Sequence, residues 1–343
     1  MLFFHDDRHR LHFPQAELDG GQFVTPYERP SRVEYVLRRL QETGMRAAAP
    51  GALDMGPVRA VHAPDYLEFL ETCWADWVAS GARGEIIATS FPVRRMRQKP
   101  PRNIDGKVGY YSLAAETAIT AGTWEAAQAS CALAQSAQRA VAAGERAAFA
   151  LCRPPGHHAA SDLFGGYCFL NNAAVAAQMF RDDGAGRVAV LDIDFHHGNG
   201  TQDIFHRRGD VFFASIHGAP EDAFPYFLGY ADETGEGAGA GANLNLPLPP
   251  GTPFGPWAEA LDAALAAIRD FGAEALVVSL GTDAFKDDPI SFFKLESADF
   301  AEAGRRIAGA GLPTVFVMEG GYAIEAVGIN AVNVLQGFEE AAA

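Results

Sequence analysis

Long apolar runs, paired cysteines and basic charge are what this chain has least of. No stretch of its 343 residues approaches the roughly 18 consecutive apolar positions of a membrane-spanning helix. The start, Met1-Leu2-Phe3-Phe4-His5-Asp6-Asp7, turns acidic before a signal-length apolar region develops, so a soluble, cytoplasmic protein with no membrane partner is expected. The four cysteines, Cys73, Cys131, Cys152 and Cys168, form no C-x-x-C pair and lie in apolar stretches such as Ala150-Leu151-Cys152. Buried free thiols fit this better than disulfides or a zinc knuckle. Lysine and arginine number 27 against 43 acidic residues, a formal charge of −16, which repels nucleic acid and favours small cationic partners. The alternating glycines Gly235, Gly237, Gly239 and Gly241 are not followed by the lysine of a phosphate loop and read as a flexible turn. One basic run, Arg94-Arg95-Met96-Arg97-Gln98-Lys99, reads in this acidic context as a solvated or intersubunit loop.

What is present is an alternation of short apolar runs with alanine-rich helical stretches. Strands are expected at Ala147–Leu151, Val188–Ile193, Val211–Ile216, Ala275–Leu280 and Thr314–Met318, in a parallel sheet covered on both faces. Ser31 with Glu34 three residues on has the form of a capping box ahead of Val33, Val36, Leu37 and Leu40. A second helix is expected from Thr123 as N-cap to Gly144 beyond its C-terminus, and further ones at Asn172–Asp183, Trp257–Phe271 and Ser297–Ala308. The length suits one α/β domain over residues 1–343. Within it, residues 83–124 contain Pro92, Pro100 and Pro101 without clean periodicity and read as a long structured excursion.

Four segments lie just past the expected strand ends, where open parallel sheets bind ligands: Arg153-Pro154-Pro155-Gly156-His157-His158, Asp192-Ile193-Asp194-Phe195-His196-His197, Gly281-Thr282-Asp283 and Glu319-Gly320-Gly321-Tyr322. Asp194 and His196, at i and i+2 of an extended segment, project to one side. With Asp283 they offer two oxygens and one imidazole, a donor set for a catalytic metal with open positions: zinc, or iron(II) or cobalt(II). Two carboxylates acidify bound water less than three histidines would, so a separate base is needed, and the His157-His158 pair offers one. Asp192 and Asn199 are candidate partners for the second ring nitrogens, the aspartate favouring imidazolium and the asparagine neutral imidazole. Tyr322, after two glycines, can bring a phenol to a developing oxyanion. Phe164, Tyr167, Phe224 and Phe227 could wall a narrow channel near these loops.

These motifs, R-P-P-G-H-H at 153–158, G-Y-C-F-L-N-N at 166–172, L-D-I-D-F-H-H-G-N-G at 191–200 and M-E-G-G-Y at 318–322, resemble the histone-deacetylase superfamily, and more closely its bacterial acetylpolyamine amidohydrolase branch. The resemblance implies an arginase/deacetylase α/β fold, with a mainly parallel sheet of roughly eight strands and helices on both faces. It implies a zinc-dependent deacetylase of acetylated polyamines or similar small cationic amines, with Zn²⁺ on Asp194, His196 and Asp283. By the same carry-over His158 is the general base with Asn199 as its partner, His157 the electrostatic partner backed by Asp192, and Tyr322 the carbonyl-polarising donor. Tyr167 and Phe224 match the aromatic pair of the substrate tunnel. Structural K⁺ would involve Asp192, Asp194, His196 and Ser215. Residues 83–124 resemble the insertion that forms a homodimer and narrows the tunnel, with Glu116 and Asp105 at the positions that meet a distant ammonium. Asp105 stands where a longer glutamate is expected, and Asp19 where the branch can carry a tyrosine. The nearest competing activity is deacetylation of acetyllysine in proteins. A binuclear ureohydrolase would need aspartates where this chain has Gly198 and Phe285, and a non-enzymatic reader of acylated amines would have lost a catalytic group.

Overall fold

Runs such as Thr314-Val315-Phe316-Val317-Met318 carry no polar break, so they are stable only where both faces are covered; every residue of that run is buried. The computed structural model describes residues 1–95 and 97–342. Its strands are β1 (Leu2–Phe4), β2 (Glu17–Asp19), β3 (Gln22–Val24), β4 (Arg46–Ala48), β5 (Ala147–Ala150), β6 (Val188–Asp192), β7 (Val211–Gly218), β8 (Asn243–Leu248), β9 (Ala275–Leu280) and β10 (Thr314–Met318). Its helices are α1 (Ser31–Glu42), α2 (Met55–Val61), α3 (Pro64–Ala79), α4 (Ile104–Tyr110), α5 (Thr123–Ala142), α6 (Asn172–Asp182), α7 (Asn199–Phe205), α8 (Phe254–Phe271), α9 (Ser297–Ala308) and α10 (Ile324–Ala342). Eight strands form one sheet in the order β4-β1-β5-β10-β9-β6-β7-β8, and β2 pairs only with β3. Every neighbouring pair in the large sheet is parallel, so all eight C-terminal ends open on one side. Helices surround this sheet, and among the described residues none is long and apolar enough to cross a membrane.

The five expected strands are present as β5, β6, β7, β9 and β10. The other three, β1, β4 and β8, were not anticipated: two are only three residues long, and β8 contains two asparagines and a proline. Two expected caps are corrected. Pro30, already helical at φ −54 and ψ −32, takes the N-cap position of α1 without a side-chain bond, and Ser31 is its first helical residue. Gly122 caps α5, because the Thr123 hydroxyl is engaged by the Thr120 amide at 2.8 Å and by His12 Nδ1 at 2.9 Å. The four thiols are free and buried, as expected.

The excursion at 83–124 is closed at its base by the antiparallel bridge Ile86–Ile119 and contains α4. Of its basic run, Arg94, Arg95, Arg97 and Lys99 are exposed, and the Arg94 guanidinium lies 5.3 Å from the Phe227 ring centroid. Met96 lies outside the described residues.

Candidate active site

The C-terminal ends of β5, β6, β9 and β10 deliver the four motif loops to one point. Asp194 and His196 follow β6, Asp283 follows β9, and one atom from each lies within 4.8 Å of the other two. The carboxylates are aimed by backbone amides. Asp194 Oδ2 accepts from Gly320 N at 2.8 Å and Asp283 Oδ1 from Phe195 N at 2.7 Å. Their remaining oxygens face His196 Nδ1, at 3.3 Å for Asp194 Oδ1 and 3.0 Å for Asp283 Oδ2. Both aspartates are fully buried, so burial and the Asp194 charge push the Asp283 carboxyl above its usual value, while burial opposes charge on His196 and the two aspartates prevail and lift it to about 10. Two buried carboxylates and an imidazole converging on one point form a donor set that a divalent cation fits and neutralises.

A second buried convergence, His157, Cys168 and Glu319, belongs to the scaffold. Glu319 Oε2 accepts from the amides of Gly156 at 2.6 Å and His157 at 3.1 Å, and its other oxygen from the Ser279 hydroxyl at 3.3 Å.

The two histidines, whose ring centroids are 4.0 Å apart, are held by different partners. His157 Nδ1–H donates to Asp192 Oδ2 at 2.9 Å, and its Nε2 lies 3.8 Å from Asp194 Oδ1. Burial opposes its charge, but Asp192 and Asp194 prevail and lift it to about 10. His158 Nδ1–H donates to Asn199 Oδ1 at 2.6 Å, which leaves Nε2 a free acceptor. Burial, then the neighbouring His157 and His196, hold it well below the usual histidine value. His158 reaches the cavity wall. Gly166 must be glycine for this approach: at φ +54, a Cβ there would stand 2.1 Å from His158 Cδ2.

Tyr322 stands opposite, 7 % exposed. Its backbone N–H donates to Asp288 Oδ2 at 2.7 Å, the next amide, Ala323, to the same oxygen at 3.2 Å, and Ile290 N to Asp288 Oδ1 at 3.2 Å. Behind the loop, buried Arg32 donates to the carbonyls of Gly321 (2.7 Å) and Glu319 (2.6 Å), and its guanidinium lies 4.8 Å from the Tyr322 ring centroid. Glu28 pairs with Arg32 at 3.0 Å and with Arg153 at 2.8 Å. Burial keeps the Tyr322 phenol well above its usual value, Arg32 pulling the other way, so the hydroxyl stays a donor.

The cavity outside these groups has a volume of about 280 Å³ and is lined by Tyr167, Phe224, Tyr226, Ile290, Phe292 and Tyr322 together with Glu17, Asp19, Glu116 and Asp222. Tyr167 meets Tyr322 edge-on at 5.6 Å, and Phe224 meets His158 edge-on at 5.2 Å. Tyr167 holds φ +66, unusual for a bulky side chain. Three contacts fix it there: its N–H donates to Thr117 Oγ1 (2.9 Å), its hydroxyl donates to Glu17 Oε1 (2.6 Å), and Gly166 N donates to Glu116 Oε1 (2.8 Å). No lysine or arginine lines the wall.

Most of the expected site residues meet here; three do not. Phe164 is fully buried and stacks on Phe69 and Phe169, and Phe227 is 74 % exposed beyond the wall. Asp105 is exposed on the first turn of α4 and lies off the cavity wall of its own chain. Glu17, Asp222, Asp288 and the Glu28–Arg32 pair were missed. The only sequence signal for Glu17 is the alternation Glu17-Leu18-Asp19, which on an isolated hairpin resembles a solvated edge.

Fold and site together define a deep-pocket hydrolase of the α/β class, and the family follows from comparison. The chain matches the Histone deacetylase domain over residues 26–338 and belongs to that family, whose activity is deacetylation by hydrolysis. Its relatives narrow the group. It is 56 % identical to the acetylpolyamine amidohydrolase of Mycoplana ramosa over 337 residues, 98 % of each chain, and 54 % identical to acetylpolyamine amidohydrolase 2 of Pseudomonas aeruginosa over 340 residues, 99 % of each. The crystal structure of an acetylpolyamine aminohydrolase from Burkholderia pseudomallei superposes with a TM-score of 0.94 at 40 % identity, covering 99 % of both chains.

Proposed function

We propose that this protein is a mononuclear metal-dependent amidohydrolase that removes acetyl groups from acetylated polyamines or similar small cationic amines. The cavity carries the reading: its wall has four carboxylates and, among the described residues, no lysine or arginine, in a family of deacetylases. Two relatives above 50 % identity that bear the acetylpolyamine amidohydrolase name support it. Asp194, His196 and Asp283 would hold Zn²⁺, or Fe²⁺ or Co²⁺, and such an ion, when bound, acidifies water and polarises the amide carbonyl. The chain's own groups do the rest. His158, neutral with Nε2 free, takes a proton from the attacking water, while Tyr322 donates to the carbonyl oxygen as charge grows there. His157, held as imidazolium by Asp192, balances that charge. A histidine proton passes to the departing nitrogen as the C–N bond breaks, giving acetate and the free amine.

One metal fits better than two. Where a binuclear site would need an aspartate, a Cβ on Gly198 would stand 2.1 Å from Asp192 Oδ2, and Phe285 is buried. Structural K⁺ is proposed at Asp192, Asp194, His196 and Ser215; Asp192 and Ser215 are register partners on β6 and β7. Residues 1–343 are read as one domain in which 83–124 forms a homodimer, and Asp105, exposed on its own chain, would serve the partner's tunnel rim.

Two measurements test this. Metal analysis is expected to find about one transition ion per subunit; two tightly bound ions with urea-releasing activity would refute the mononuclear site. Rates on acetylputrescine, acetylspermidine and an acetyllysine peptide are expected to favour the polyamines, and faster cleavage of the peptide would replace this reading with protein deacetylation.

A further inference from the structure

Glu17 is the most deeply buried carboxylate on the cavity wall outside the metal centre. It is 4 % exposed, Glu116 is half-buried, and Asp19 and Asp222 are exposed at the mouth. Its depth has a physical cost. Among the described residues both oxygens are met only by neutral donors, the Tyr167 hydroxyl at 2.6 Å and the Tyr27 amide at 3.1 Å. No arginine or lysine among the described residues pairs with it, in contrast to Glu28, which sits between two guanidinium groups. Burial, with the charges of Glu116 and Asp19 adding to it, pushes its carboxyl up to about 7. A buried carboxylate without a counter-charge is expensive, and this one faces a cavity open to ligands.

Position says which part of a ligand it meets. Glu17 grips the hydroxyl of Tyr167, whose ring packs edge-on against Tyr322, so it stands one aromatic ring away from the phenol that faces the amide. Given the reading of the substrate as an acetylated polyamine, we infer that Glu17 is the charge-selecting residue for the ammonium nearest the scissile amide. Glu116 and the exposed acids then take charges further out. An incoming ammonium supplies the cation that the fold withholds from Glu17, at a site already dehydrated, where a charge-assisted hydrogen bond is strongest. The substrate class this favours has its first cationic nitrogen inside the tunnel, as acetylated diamines and triamines do.

Glu17→Gln removes the charge while its amide oxygen still accepts from Tyr167; its NH2 group then meets the Tyr27 amide, and a neutral substrate reads out any loss from that contact. The metal-loaded parent and variant are compared on acetylputrescine, acetylspermidine and N-pentylacetamide, an uncharged amide of similar length. The expected result is a rise in KM of about tenfold to a hundredfold for the two cationic amides, with little change in kcat and no change on the neutral amide. Tyr167→Phe, which removes the hydroxyl and leaves the carboxylate, is expected to keep the preference for cationic over neutral amide. Equal losses on all three substrates in Glu17→Gln would overturn the inference and leave Glu17 as a support for Tyr167. A parental preference that survives in the variant would also overturn it, with the polyamine reading intact. A parent with no such preference would refute both.

Discussion

At the residue scale, two adjacent histidines of the same type differ because one hydrogen-bond acceptor is charged and the other is not. Asp192 keeps His157 protonated, and Asn199 leaves His158 neutral with a free Nε2. His158→Ala is therefore expected to lose more turnover than His157→Ala, and steady-state rates giving the reverse order would exchange their roles. Tyr322→Phe should fold and bind metal yet lose roughly 10²–10³ in kcat, the effect of deleting one oxyanion donor; near-parental turnover would return Tyr322 to packing. Glu17 gives a pH dependence with a definite sign. Its carboxyl, raised from 4.5 to about 7 mainly by burial, is stable in the fold when protonated. That contribution is fully present below about 4.5 and is lost as the pH rises through about 7. Glu17→Gln removes the ionisation, so its melting temperature relative to the parent is expected to climb between about pH 5 and pH 8. A constant offset across that range would contradict the sign.

At the element scale, the loop after β10 is held from behind by α1. Arg32 of α1 reaches two carbonyls of that loop, and one Glu28 oxygen pairs with both Arg32 and Arg153. Glu28→Ala strands two buried guanidinium groups and is expected to cost about 3–5 kcal/mol, read by chemical denaturation; a loss below about 1 kcal/mol would mean that water reaches the pair. Legibility in the sequence follows the same division. The strands that lead into the site, β6 and β9 with the candidate metal ligands and β10 with Tyr322, announce themselves because burial on both faces demands unbroken apolar runs. The edges β4 and β8 carry arginine or asparagines, and β1 is too short to show a period. The candidate metal ligands and the histidine pair stood out because polar residues crowded at the ends of buried strands do nothing for packing and must answer to chemistry. Glu28 and Arg32 are only four positions apart, but Glu28 reaches Arg153 across 125 positions, Arg32 reaches Gly321 across 289 and Asp288 reaches Tyr322 across 34, and a charged residue in a helix or loop gives no local sign of so distant a partner.

At the scale of the whole molecule, an acidic chain narrows to an acidic cavity, so long-range attraction and local recognition have the same sign. Added salt is expected to lower kcat/KM for acetylputrescine more in the parent than in Glu116→Gln, because screening removes the attraction that the substitution already removes. Equal salt slopes would assign Glu116 to holding Gly166. The fold also ties selectivity to turnover. Asp288 binds the backbone of Ile290, on the cavity wall, with one oxygen and that of Tyr322 with the other. Substitutions that reshape the wall at Ile290 therefore pull on the carboxylate that sets the phenol, and their effects will not combine additively with changes near Tyr322. Selectivity is thus harder to change at this loop than at the mouth: substitutions at Asp19 and Asp222, which share no hydrogen bond with Asp288, are expected to alter substrate range with less effect on turnover than substitutions at Ile290.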